Sequence, residues 1–258
     1  MDHTEILALY DRDLRAGARP DAPGTRVERA GGVVRQVGSP QDWNGVLWSD
    51  LDTAGTDATI AEQVSFFGEL GHGFEWKLYG HDRPADLGRR LRAAGFTPGP
   101  EETLMVAETA DLDLDAEPPA GVRLREVTDA EGVDLLVGVH EKAFGTDGSA
   151  LRHRLLARLA ADPDTVLAVV ALAGDAPVSA ARMELVPGTD FAGLWGGGTV
   201  EGWRGRGLYR ALVTHRARLA ADHGCRYLQV DASDQSRPIL ERLGFTPLTT
   251  TTPYVYEP

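Results

Sequence analysis

Residues Thr199-Val200-Glu201-Gly202-Trp203-Arg204-Gly205-Arg206-Gly207-Leu208-Tyr209-Arg210 place three arginines and three glycines within nine positions. The preceding Leu194-Trp195-Gly196-Gly197-Gly198-Thr199-Val200 predicts a strand, and Leu208, Ala211, Leu212, His215 and Leu219 then recur at helical spacing. A turn that enters a helix leaves the first amides unpaired and faintly positive, which suits a phosphate. Gly205 and Gly207 let the backbone approach an anion with φ > 0, and Arg204, Arg206 and Arg210 add charge around it. The predicted chemistry is pyrophosphate binding. A P-loop is excluded because no Gly-Lys-Ser/Thr ending is present, and a dinucleotide fingerprint because its three spaced glycines and distal acid are missing.

What remains, Arg204-x-x-Gly207-x-Tyr209, resembles the Gln/Arg-x-x-Gly-x-Gly/Ala loop with which the GCN5-related N-acetyltransferase (GNAT) superfamily grips acetyl-CoA. Tyr209 stands where that pattern has Gly or Ala. Downstream, Ser233 to Phe245 is similar to the superfamily's Asn-x-x-Ala-x-x-Leu-Tyr-x-x-x-Gly-Phe, at the same spacing. The resemblance implies acetyl-CoA as co-substrate, held by Thr199, Val200, Arg204, Gly205, Arg206, Gly207, Leu208, Tyr209 and Arg210 with Ser233 and Ser236. It also implies an α/β (α+β) fold: a mixed, largely antiparallel twisted sheet flanked by helices, with a splayed strand pair that admits the pantetheine arm. Gly196, Gly197 and Gly198 match the bulge that a splay needs, and a backbone N–H there would stabilise the oxyanion of a tetrahedral intermediate.

The superfamily's usual catalytic groups are replaced. Leu240 stands where a tyrosine general acid is common, and Gly193 where the histone-modifying branch has a carboxylate base. The candidates left are Glu184, Glu201 and Tyr254, followed by Asp231 and Tyr256. Trp195 and Phe144 are expected to line the acceptor side. His140 and His153 read as packed or surface residues of helices, and Cys225 as a small buried hydrophobe. His72 and His81 have no partners at ligand spacing, so no metal is expected.

The chain of 258 residues, 42% of them hydrophobic, has material for two modest cores. Strand, short helix, Gly-Phe-Thr-Pro and strand occur twice, at Phe74 to Ala107 and again up to Tyr256, with Gly95 and Gly244 149 positions apart. The repeat predicts two GNAT-like domains. The first spans 1–110 and is degenerate, because Asp50-Leu51-Asp52-Thr53-Ala54-Gly55-Thr56-Asp57 is acidic where a phosphate turn would stand. An acidic, Pro-rich linker is expected at 111–120 and the acetyl-CoA domain at 121–258. A net charge of −13 argues against nucleic acid as partner. No apolar run reaches transmembrane length, and Met1-Asp2-His3-Thr4-Glu5 lacks signal-peptide character. A cytoplasmic, bacterial protein, monomeric or homodimeric, is expected. The reading is transfer of an acetyl group to a small-molecule primary amine. A non-catalytic acyl-CoA sensor, or an enzyme acting on a protein amine, is the alternative.

Overall fold

A computed structural model describes residues 2–258. In chain order the elements are α1 (His3–Tyr10), a π-helical turn (Asp11–Ala16), β1 (Arg26–Ala30), β2 (Val33–Val37), β3 (Gly45–Ser49), α2 (Thr56–Leu70), β4 (Phe74–Tyr79), α3 (Leu87–Ala93), β5 (Thr97–Pro98) and β6 (Glu102–Glu108). They continue with β7 (Val122–Glu126), α4 (Ala130–Phe144), α5 (Ser149–Ala161), β8 (Val166–Ala173), β9 (Ala176–Leu185), β10 (Phe191–Thr199), α6 (Leu208–Asp222), β11 (Tyr227–Ala232), α7 (Arg237–Arg242) and β12 (Thr246–Tyr256). Among the described residues no helix is long and apolar enough to cross a membrane. The chain forms two compact units, 1–104 with 248–258, and 105–247.

The first unit is an antiparallel β1-β2-β3 meander followed by a parallel β3–β4 pair and an antiparallel β4–β12 pair. Aromatic residues dominate its core. Phe67 of α2 stacks on Phe74 at 4.3 Å between ring centroids, and Phe96, at the exit of α3, meets Phe74 edge-on. Trp76, Ile60, Leu87 and Leu91 fill the remainder. Gly71 closes α2 with φ +68°, the left-handed stop that a residue without Cβ adopts at least cost.

In the second unit β7, β8, β9 and β10 run antiparallel, and α6 then crosses over so that β11 pairs parallel to β10. β8 is apolar throughout because both of its faces are covered. Val166, Ala168, Val170 and Leu172 meet the α4–α5 layer, while Val169 and Ala171 meet Leu212 and Leu208 of α6. The α4 helix begins at Asp129, whose carboxylate accepts from the Gly132 N–H at 2.7 Å.

The unit boundaries differ from the expected 1–110, 111–120 and 121–258. Both fall inside strands: β6 crosses at 104/105 and β12 at 247/248. The strand that follows the second Gly-Phe-Thr-Pro pairs with β4 from Thr251↔Tyr79 to Tyr256↔Phe74 and belongs to the first unit. The strand that follows the first Gly-Phe-Thr-Pro lies beside β11, and Thr109 extends it by donating its N–H to the Arg226 carbonyl at 2.9 Å. Each repeat therefore gives its closing strand to the other unit. Residues 111–120 are not a free linker either. Leu112 and Leu114 pack on the core beneath α6, Arg218 holds the Leu114 carbonyl and Glu117, and Arg210 pairs with Asp113.

Candidate functional site

β10 and β11 are paired at Phe191↔Tyr227, Ala192↔Leu228 and Gly193↔Gln229, and beyond that point the two strands diverge. On its other edge β10 is bulged against β9: Trp195 faces Arg182 and Gly198 faces Ala180, so three steps along β10 match two along β9. Gly196, at φ +59°, makes this possible. Gly193 has a different reason for being glycine. A Cβ there would lie 2.6 Å from Gln229 Nε2 and 2.6 Å from Trp195 Nε1, so the volume that a carboxylate would need is already filled.

After the splay, Thr199 and Val200 lead through a turn into α6. Thr199 Oγ1 bonds Ser179 Oγ at 2.8 Å, and the Val200 N–H donates to the Val178 carbonyl, which ties the turn to β9. Gly205 and Gly207 have φ +72° and +83°, and a Cβ at either would meet nothing within 4 Å. Their backbone faces open space. The first helical bond of α6 runs from the Ala211 N–H to the Gly207 carbonyl, which leaves the Leu208, Tyr209 and Arg210 amides as first-turn donors, and no side chain caps them. Leu208 is buried and anchors the turn against Val178 and Ala171. The arginines are each committed. Arg204 donates to the Thr199 and Ala143 carbonyls, Arg206 lies 4.6 Å from the centre of the Trp203 ring, and Arg210 pairs with Asp113.

Tyr209 points inward. Its ring would touch a Cβ on Gly197 at 2.9 Å, so it packs against the bulged strand. Beside it, Arg216 is fully buried and gives hydrogen bonds only to carbonyls, those of Leu212 at 3.0 Å and Arg182 at 2.9 Å. Burial pushes the Arg216 pKa down to about 10. Ser233 and Ser236 bond one another in the β11–α7 turn. At the fork of the splay, Gln229 is buried and its Oε1 has no hydrogen-bond partner among the described residues.

Of the three catalytic candidates, Glu184 and Glu201 lie on the second unit and Tyr254 on the first. Glu184 is clamped between Arg182 at 2.9 Å and Arg158 at 2.8 Å. Burial opposes its ionisation, but Arg182 and then Arg158 outweigh it and hold the carboxyl below its usual range, so it is a weak proton acceptor. Glu201 stands in an exposed 3-10 turn, Glu201–Trp203, at the entrance to the loop. Tyr254 is buried in the core of the first unit, opposite Trp76 on β4, and Tyr256 packs there on Phe74 and Phe96.

On the acceptor side Phe144 is half exposed, and its ring would touch a Cβ on Gly198 at 2.9 Å. Trp195 is half-buried with the Arg182 guanidinium above it. His140 packs on Phe144 and bonds Thr146, and burial followed by the Arg182 charge pushes its pKa below the ordinary 6.5. Gln229 and Arg216 escaped the sequence reading, and His140 reads there only as a packed or surface residue of a helix. The one signal for the first two is a polar residue inside an otherwise apolar strand or helix face.

The first unit has the same strand, turn and helix. The turn before α2 is occupied by its own Asp52, which accepts from the Gly55 N–H at 2.6 Å, and β3–β4 pairing ends at Val46↔Trp76. Next to that end, buried Arg15 donates to the Leu47 carbonyl at 3.1 Å and to Asp82 at 2.7 Å, lying over the Tyr79 ring.

Residues 133–245, within the second unit, match the Acetyltransferase (GNAT) family model. That stretch is therefore similar to the GNAT family, whose reaction is acyl transfer from an acyl-CoA. Across both units the fold is similar to a GCN5-related N-acetyltransferase from Kribbella flavida, with 20% identity, TM-score 0.71, and coverage of 98% of this chain and 93% of that one. It is also similar to a tandem GNAT protein from the clavulanic acid biosynthesis pathway (17% identity, TM-score 0.62, 92% and 84% covered). A third is a GCN5-related N-acetyltransferase from Sphaerobacter thermophilus (16% identity, TM-score 0.59, 88% and 76% covered). No curated protein matches the chain. Among the described residues no group of three or more His, Cys, Asp or Glu is placed to hold a metal ion.

Proposed function

We propose that the second unit transfers an acetyl group from acetyl-CoA to the primary amine of a small molecule, by direct attack through a tetrahedral intermediate. The observation that carries this is the coincidence of two openings. β10 parts from β11 after Gly193, and the uncapped N-terminus of α6 lies at the end of the same strand. A pyrophosphate would be held by the first-turn amides of α6 and the open faces of Gly205 and Gly207, with Arg204, Arg206 and Arg210 around it. The pantetheine arm would lie along the unpaired edge of β10. The bulge at Gly196 and Gly197 frees backbone N–H groups to polarise a thioester carbonyl.

For the acceptor, Phe144 and Trp195 supply an apolar lip and Gln229 Oε1 an unused acceptor for an amine N–H. The amine's proton leaves to water or to His140, which burial keeps neutral at pH 7. Glu184 serves as a cross-tie between α5 and β9. One cofactor site per chain is expected, because Asp52 and Arg15 occupy the equivalent places in the first unit. A second reading, an acyl-CoA sensor without turnover, is favoured by Leu240, which is fully buried where a proton donor is usual. Free-thiol release from acetyl-CoA in the presence of a panel of primary amines separates the two. Turnover supports transfer, whereas binding without turnover by any amine supports the sensor.

A further inference from the structure

We propose that the acceptor amine also carries an anionic group, a carboxylate or a phosphate, and that the Arg182 guanidinium binds it. This rests on the acyl-transfer reading above and narrows its substrate class. Met183 of β9, Ala192 of β10 and Leu228 of β11 pack in the core with Val213 of α6. Side chains alternate along a strand, so Arg182 and Glu184 of β9, Gly193 and Trp195 of β10, and Gln229 and Asp231 of β11 share the opposite face, on the side of the α4–α5 layer. Phe144 of α4 covers that face at Gly198.

On it, two guanidiniums share one carboxylate. Glu184 receives Arg158 Nη1 at 2.8 Å on one oxygen and Arg182 Nε at 2.9 Å on the other. Burial opposes the charge on Glu184, but Arg182 and then Arg158 hold its carboxyl below the usual range, so the trio keeps a surplus positive charge at neutral pH. Arg182 carries that surplus toward the opening. Its Nε is engaged by Glu184, while its Nη1 and Nη2 make no hydrogen bond among the described residues. Nη1 stands 2.8 Å from the place of a Cβ on Gly196, and Cζ lies 5.9 Å from the centre of the Trp195 ring. The fork therefore sits directly over the bulge at which a thioester carbonyl would be attacked.

The Arg182 side chain is 17% exposed and Gly196 below it is exposed, so a solute reaches the fork from solvent. A guanidinium already fixed through Nε presents its remaining N–H donors to a planar carboxylate or a phosphate with little further loss of freedom. Across the divergence of β10 and β11, Asp231 adds a carboxylate to the same face. The two strands thus offer a cation for the anionic end of one molecule and an anion for its ammonium end.

The test follows thiol release from acetyl-CoA by the full-length protein with matched acceptors: amino acids against their carboxamides, and aminoalkyl phosphates against the corresponding amino alcohols. The parent should prefer the anionic member of at least one pair by about 10²-fold in kcat/KM, the order that one charge-assisted contact supplies, and the pair that shows it identifies the anion. Arg182→Gln should bring that ratio close to one. Arg182→Lys, which keeps the charge beside Glu184 and loses the fork, should leave a ratio of about tenfold. Far-ultraviolet circular dichroism checks that each variant is folded, and Arg182→Lys carries the comparison if Arg182→Gln is not. Equal turnover of both members of every pair by the parent, or a preference that survives intact in the folded variants, would overturn this assignment and leave acyl transfer standing. A parent that releases no thiol with any of these amines refutes the acyl-transfer reading and the anionic acceptor together.

Discussion

Glycine serves two opposite purposes within fifteen residues of this site. At Gly193 a side chain has nowhere to go, because Gln229 and Trp195 already occupy the Cβ position, whereas at Gly207 there is open space and the constraint is φ +83°. Gly193→Ala should therefore overpack the strand and cost about 1–3 kcal/mol, and Gly207→Ala about 1–2 kcal/mol from left-handed strain. Urea unfolding of the two variants checks the values, and Gly193→Ala should also perturb Trp195 fluorescence while Gly207→Ala should not. Glu184 makes the converse case. Replacing it by Gln leaves Arg158 and Arg182 partly buried with a weaker partner, and the expected loss is about 1–3 kcal/mol. Because the carboxyl is clamped and not a base, the pH dependence of turnover should keep its shape in Glu184→Gln, and a lost acidic limb would show that it takes the proton after all.

At the scale of elements, strand, Gly-turn and helix were legible from residue type and spacing. So were the positive φ at Gly205 and Gly207 and the bulge at Gly196, since those depend on neighbours in the chain. The direction of Tyr209 was not legible, because it is set by packing against Gly197 on another element. Gln229 and Arg216 were missed for the same reason: a polar residue in an apolar pattern does not announce what it faces. The pairing of Glu184 with two arginines likewise depends on α5 docking on β9. The helices also set a pH dependence. His140 on α4 and His215 on α6 both have pKa values pushed below the ordinary 6.5, first by burial. The unfolded chain thus binds more protons than the folded one below about pH 6.5, so stability is present above that pH and is lost as pH falls through it. Midpoints of urea unfolding at pH 7.5 and 5.5 should drop between the two, and the drop should shrink in His140→Gln/His215→Gln. An equal drop in the double variant would assign the acid sensitivity to carboxylates.

For the whole molecule, the repeat was visible as a recurring Gly-Phe-Thr-Pro, but its consequence was not. Local sequence predicts that a strand follows each copy; which sheet receives it depends on register and partner, properties that alternating side chains leave open. The acidic and Pro-rich composition of 111–120 pointed to a linker, and only Leu112 and Leu114, spaced to bury together, argued otherwise. The exchange of β6 and β12 means that cutting at 111–120 separates each unit from one of its strands. A fragment of residues 121–258 should therefore lack cooperative unfolding, because β11 loses β6, while the full chain unfolds cooperatively. Circular dichroism in urea decides it, and a sharp transition in the fragment would show that the repeats close independently.

The central claim is that the open turn at the head of α6 is the one acetyl-CoA site of the chain. Calorimetric titration of the full-length protein with acetyl-CoA tests it most directly, with Gly207→Glu placing a carboxylate at the turn and Gly207→Ala controlling for backbone strain. The account predicts one site per chain, retained in Gly207→Ala and lost in Gly207→Glu while the folded far-ultraviolet spectrum persists. No binding by the parent, two sites per chain, or equal affinity in Gly207→Glu would contradict it.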